Sequence, residues 1–256
     1  MVDFQRVAVT RTGQDPSGAR PKRRRAGFPD RAHIQLTDRD VAILRDLTRF
    51  WALTVEQVAR RHFRATNTAA NRLAALVRAG YVRVERPRYR GRAAYLVTAS
   101  GARLADVGLP AARFSPMALP HRLAVVDLAD LLLIRSPGAT WTSERELRRD
   151  SMQTVRDRRR GQLLSGTPHV PDGVLTIPGG PAGGIAIELE LSGKKLADHE
   201  RILRWYGAAL DYRQVRWFCA TTAIRERIAK LVERERMDDF ITAEPVPPGV
   251  GGTSWG

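Results

Sequence analysis

Apolar positions along this chain first fall into helical register after Thr37. Val41, Leu44, Leu47 and Trp51 recur at three- and four-residue spacing, the period of a helix with one buried face. Thr37 can cap that helix, and Asp40 can complete a reciprocal capping box. A second helix is expected over 54–62, with Val55, Val58 and Phe63 turned inward. A third runs from Thr66 or Asn67 to Ala79, carries Leu73, Leu76 and Val77 on one face, and stops at Gly80. The period then changes from helical to alternating. Residues 81–86 and 93–98 read as two strands joined by a turn containing Pro87 and Gly91. Three short helices followed by a hairpin predict a winged helix-turn-helix over residues 36–108.

Past a linker at 109–119, a heavily aliphatic helix is expected over 121–134, interrupted by His121, Asp127 and Asp130. The two aspartates lie three apart on one face and read as solvated or as capping a neighbour. Strands are predicted at 140–146, 170–177, 184–191 and 215–220, and helices at 194–210 and 223–236. A charged connection ending in RDRRRG follows the first of these strands. Such an order builds a mixed sheet flanked by helices, assigned to a second domain at 120–240. Residues 1–35 read as a flexible basic arm, and 241–256 as a mobile tail. The fold class is therefore α+β, with a winged helix ahead of an α/β domain.

Charge separates the two parts. The 256 residues carry 43 Lys and Arg against 27 Asp and Glu, a formal net charge of +16. Residues 1–162 hold 32 basic and 15 acidic side chains, whereas 163–256 hold 11 and 12. The excess thus lies wholly in the first part, which implies a polyanionic partner there, double-stranded DNA ahead of an acidic membrane. Only four of the basic residues are lysines. A GC-rich genome would also favour arginine, so the arginine bias alone does not show phosphate recognition. On the third helix Thr66, Asn67, Thr68, Asn71 and Arg72 form a polar face suited to base edges and phosphates. Arg86, Arg88, Arg90 and Arg92 line the expected wing.

Several chemistries find no support. Apolar runs such as Leu131–Ile134 fall far short of the roughly 18 residues of a membrane span, and the N-terminus has no signal-peptide core. The chain reads as cytoplasmic. A single cysteine, Cys219, excludes an intrachain disulfide framework and reads as a core residue. There is no GxxxxGK[ST] loop, and the five histidines show no HExxH spacing.

The chemical signal sits on the third strand of the second domain. Ile185, Ile187, Leu189 and Leu191 alternate with Ala186, Glu188 and Glu190, so two carboxylates stand about 7 Å apart on one face. Asp172 follows Pro171 on the neighbouring strand and can converge with them. Such a set offers oxygen ligands to Mg²⁺, and Lys194 and Lys195 follow at the next helix start. Pro171-Asp172 and Glu188-Leu189-Glu190 resemble the PD-(D/E)xK nuclease superfamily. That resemblance implies a restriction-endonuclease-like domain, metal binding by Asp172 and Glu188, and a charge-stabilising lysine. Here Glu190 occupies the lysine position, and Lys194 or Lys195 would have to serve instead. The departure equally permits a catalytically inactive or weakly active domain.

Over about residues 36–236 the chain resembles the replication-relaxation family of plasmid and integrative-element proteins. The resemblance rests on LTDRDVAILRDL, LAALVRAGYVRVER, HRLAVVDLADLL, PDGVLTI and IELELSGKK, followed by Tyr206. It implies a role in plasmid replication or mobilisation, including conjugation, alongside a relaxase or other mobile-element proteins. Three functions follow as expectations: a DNA-binding accessory protein, a Mg²⁺-dependent nickase or endonuclease, and a winged-helix repressor. Paired half-sites would call for a homodimer.

Overall fold

Reciprocal caps start the first two helices. Helix α1 (Asp38–Arg49) is capped by Thr37, whose hydroxyl accepts from the Asp40 N–H while the Asp40 carboxylate accepts from the Thr37 N–H. Helix α2 (Val55–His62) repeats the device with Thr54 and Gln57. Helix α3 (Thr66–Arg78) ends at Gly80, whose φ of 76° suits a residue without a Cβ. Strands β1 (Val82–Glu85) and β2 (Ala94–Val97) pair antiparallel. The computed structural model describes residues 34–86, 92–158, 169–179, 183–208 and 211–251. The expected basic arm, Arg88 and Arg90 lie outside these residues.

A short helix α4 (Ala99–Ala105) leads through an irregular stretch to the long helix α5 (Leu119–Arg135). The second part holds β3 (Thr140–Ser143), α6 (Glu144–Arg158), β4 (Gly173–Thr176), β5 (Gly184–Glu190), α7 (Leu196–Ala208), β6 (Tyr212–Cys219), α8 (Thr222–Arg234) and β7 (Ile241–Pro245). Five strands form one mixed sheet in the order β3-β4-β5-β6-β7. The β3–β4 and β4–β5 pairs are antiparallel, while β5, β6 and β7 run parallel. The α+β expectation holds.

Two elements differ from the sequence reading. The charged stretch after β3, expected as an extension of the strand and then a connection, is helix α6. Its start carries the box Ser143-Glu-Arg-Glu146: the Glu146 carboxylate accepts from the Ser143 N–H and hydroxyl, and the Glu146 N–H faces the Ser143 hydroxyl. Its weak apolar periodicity hid it. Residues 241–245, expected as tail, form β7 beside β6, and the Val246 N–H bonds to the Cys219 carbonyl beyond it. Val250 packs into the core as well.

The sheet has a core on each face. On one, Leu175, Ile187, Leu189 and Phe218 meet Leu128, Ala129 and Leu132 of α5, and this core runs on into Ile43, Leu47 and Leu73 of the N-terminal helices. On the other, Ala186, Val215 and Trp217 meet Leu203, Tyr206, Ile228 and Leu231 of α7 and α8. The helix-hairpin block and the sheet block therefore share buried surface. The α1–α2 corner is pinned to the sheet block as well. Trp51 adopts the left-handed conformation (φ 59°), an uncommon one for a bulky side chain. Its indole N–H donates to Glu144 at 3.0 Å, and the Arg122 guanidinium lies 3.9 Å from its ring centroid. Arg145 donates to the Thr48 and Pro110 carbonyls; burial, followed by the Arg122 charge, lowers its pKa to about 10. Among the described residues no helix is long and apolar enough to cross a membrane.

Candidate functional site

Strand β5 carries Glu188 and Glu190 to its C-terminal end, each 3% exposed. They share the face of Ala186, toward α7 and α8, as the alternation predicts. Asp172 sits one residue before β4, where the antiparallel ladder with β5 stops. There its carboxylate takes over the role of a strand carbonyl, accepting the Leu189 N–H on Oδ2 at 2.8 Å. Sheet registration thus brings a residue from position 172 beside residues from 188 and 190.

Histidines hold these acids. His121, in the first turn of α5, donates from Nε2 to Asp172 Oδ1 at 2.9 Å. His169 donates to Glu188 Oε1 at 2.6 Å, and the buried Tyr206 hydroxyl donates to the same oxygen at 2.5 Å. His169 lies edge-on to both Trp205 and Tyr206, which fixes its ring. Lys194 Nζ stands 2.8 Å from Glu190 Oε2, and the buried His199 Nε2 stands 3.3 Å from that oxygen. An open cleft of about 480 Å³ joins His121, His169, the three acids and Lys194, with Glu144, Arg148 and Arg201 at its wall.

Asp172 and Glu188 are shifted in opposite directions. Burial pushes Asp172 up, but the hydrogen bond and charge of His121, the Leu189 N–H and the Lys194 charge outweigh it and hold the carboxyl below its usual range. Glu188 is held above the usual range by burial and by the Asp172 charge, against the pull of His169 and Tyr206. The surroundings thus favour the ionised form at Asp172 and the neutral form at Glu188. Burial would lower the Lys194 ammonium, yet Glu190, Glu188 and Asp172 together raise it. His121 is likewise raised by Asp172 despite burial.

Among the described residues no group of three or more His, Cys, Asp or Glu side chains is placed to hold a metal ion. Asp172 and Glu188 are a two-carboxylate donor set. That suits Mg²⁺, which keeps water and phosphate in its remaining positions, and does not suit a metal needing an all-protein cage.

The structure brings Asp172, Glu188, Glu190 and Lys194 into one cleft and leaves Lys195 out of it. Lys195 is exposed, and its carbonyl instead accepts the N–H groups of Asp198 and His199 at the start of α7. Sequence reasoning read His169, near Asp172, as a polar contact at the strand end, and passed over His121 and His199 as scattered. The available signal was their position: His121 opens the HRLAVVDLADLL stretch, and His169 lies three residues before Asp172.

A second surface lies on α3. Thr66, Asn67, Thr68 and Asn71 are exposed, as are Ala74 and Arg78 on the same stripe. Arg72 is not free with them. Its guanidinium is paired with the buried Asp40 carboxylate and donates to the Gln35 carbonyl. Arg86 and Arg92 flank the hairpin, both exposed, with Arg92 3.6 Å from Glu56. Asp127 and Asp130 are occupied by Arg60 and Arg61 of α2, an internal role.

No curated protein matches the chain. The family model for replication-relaxation proteins matches residues 44–228, a span that includes α3, the hairpin and every acid of the cleft, and the chain belongs to the replication-relaxation family.

Proposed function

We propose that this protein is a DNA-binding accessory factor in the replication or mobilisation of a plasmid or other mobile element. In this reading α1 to β2 act as a winged helix-turn-helix on duplex DNA, and the sheet block supplies a nuclease-like cleft. The exposed face of α3 carries the proposal. Asn67 and Asn71 lie one turn apart, neither amide has a partner among the described residues, and α3 contains no acid. An asparagine amide can make a bidentate contact to adenine in the major groove, and Thr66 and Thr68 suit phosphates at the helix start. The charge excess of residues 1–162 supports the same partner. A homodimer would present two α3 faces about one DNA turn, roughly 34 Å, apart. The reading is tested by duplex binding at increasing salt. Log K should fall linearly with log salt concentration, with a slope near −0.9 per phosphate contacted; salt-independent binding, or none, would sink it.

A second reading is favoured by the position of Lys194, whose ammonium shares the cleft with Asp172 and Glu188. Here the cleft hydrolyses a phosphodiester. Asp172 and Glu188 would hold Mg²⁺, which when bound supplies Lewis-acid polarisation of a phosphoryl oxygen. Lys194 offers charge to the phosphate, and the histidines keep the two carboxylates in place. Wild-type protein should then nick supercoiled plasmid in Mg²⁺ or Mn²⁺, with Lys194→Ala slower by about 10²–10³-fold, as for loss of one charge-stabilising donor. Equal nicking by both proteins would point to a contaminant.

A further inference from the structure

Glu190 occupies the strand position where a nuclease-like site would carry lysine, and it is too deeply buried to be a solvated surface acid. Both of its contacts fall on Oε2. One is Lys194 Nζ, from the loop between β5 and α7; the other is Nε2 of His199, in the first turn of α7. His199 is fully buried, with its ring edge-on to Trp217 at 5.7 Å between centroids. Trp217 is itself fully buried in the sheet, so the imidazole packs against a ring that the core holds. The result is a chain of fixed groups from the core outward: Trp217, His199, Glu190, then an ammonium with 42% of its side chain still exposed at the cleft. A lysine ammonium is a point charge on a flexible four-carbon stem, and an anchored carboxylate beside it limits where that charge can go. Lys195, one residue on, has no such anchor among the described residues and lies outside the cleft.

We propose that His199 and Glu190 are positioning residues: His199 fixes the Glu190 carboxylate, and Glu190 holds the Lys194 ammonium where a phosphodiester oxygen in the cleft meets it. The charge missing from the strand is thereby returned from the loop, four residues later. The ligand named here rests on the reading of the cleft as a phosphodiester site.

The test uses full-length protein labelled with ¹⁵N-lysine, which has only Lys22, Lys194, Lys195 and Lys230 to resolve. In wild type the Lys194 ammonium should give a ¹H–¹⁵Nζ signal at neutral pH, because ion pairing slows its proton exchange; its loss in Lys194→Arg assigns it. The signal should vanish in Glu190→Gln, which keeps the side-chain shape, and in His199→Leu, and it should return in His199→Asn, which restores an N–H donor. A Lys194 signal that survives Glu190→Gln, or survives His199→Leu in protein with wild-type circular dichroism, overturns the positioning chain. Adding the dinucleotide thymidylyl-thymidine should move the wild-type Lys194 signal. An intact signal that the dinucleotide leaves unmoved overturns the phosphodiester as ligand, separately from the positioning chain.

Discussion

Replacing Asn67 and Asn71 together by alanine should weaken binding to a specific duplex by roughly 30-fold to 20,000-fold. Each bidentate base contact contributes about 1–3 kcal/mol of discrimination, and every 1.4 kcal/mol corresponds to about tenfold. The two residues share the exposed stripe of α3, and neither side chain makes a hydrogen bond among the described residues. Affinity for non-specific duplex should change little, because that term comes from phosphates. Fluorescence anisotropy on a duplex selected from a random pool, set against an unselected duplex, measures both. Equal losses on the two duplexes would remove α3 from base reading. Arg72→Ala is the informative contrast. Its guanidinium is committed to Asp40 and the Gln35 carbonyl, so its removal leaves the Asp40 carboxylate without its cation and should lower stability rather than relax specificity.

Gly173→Ala should lower the melting temperature by about 2–12 °C. A Cβ at this position would stand 2.0 Å from Cζ2 of Trp141 and 2.4 Å from Cε2. Trp141 is buried at the core on that face and lies on β3, against β4. Neither atom belongs to a flexible chain end, so the ring or the strand must move. Overpacking of this kind costs about 1–3 kcal/mol, and each kcal/mol corresponds to roughly 2–4 °C for a chain of this size. The shift should also reach the cleft, because residue 173 follows Asp172 and a displaced β4 strains the bond from the Leu189 N–H to Asp172. Differential scanning calorimetry reads the stability. Adding Trp141→Leu should recover part of the loss. A melting temperature within about 1 °C of wild type would mean that the β3–β4 contact is slack.

Local signals carried the first half of the fold. Thr37 with Asp40 sets the start of α1, and Gly80 at φ 76° stops α3; each is an interaction within a few residues, which a linear pattern records. Helix α6 was missed although its capping box is equally local, because its apolar face is thin and a strand pattern ran into it. Strand β7 was missed for a different reason. Its five residues, Ile241–Pro245, are held by parallel pairing with β6 across a helical crossover, and no short-range signal reports a partner so far back along the chain. The acids on β5 were legible from alternation alone, since the two-residue period fixes which side chains share a face.

The residues 36–236 series divides in the same way. Motifs as far apart as HRLAVVDLADLL, PDGVLTI and IELELSGKK were visible one by one, but their convergence was not. His121, Asp172, Glu188 and Lys194 come from four separate segments, and only the packing of α5 and α7 against the sheet places them around one cleft, with Tyr206 behind Glu188. The same packing chose Lys194 over Lys195 and committed Arg72 to Asp40. By itself the sequence determined the helices with strong caps, the two-faced strand, the basic first part and the family. The tertiary structure decided which ionisable groups meet. Helix and strand periods are local consequences of backbone geometry, whereas a side chain's partner across 20 to 100 residues depends on where the whole chain is packed.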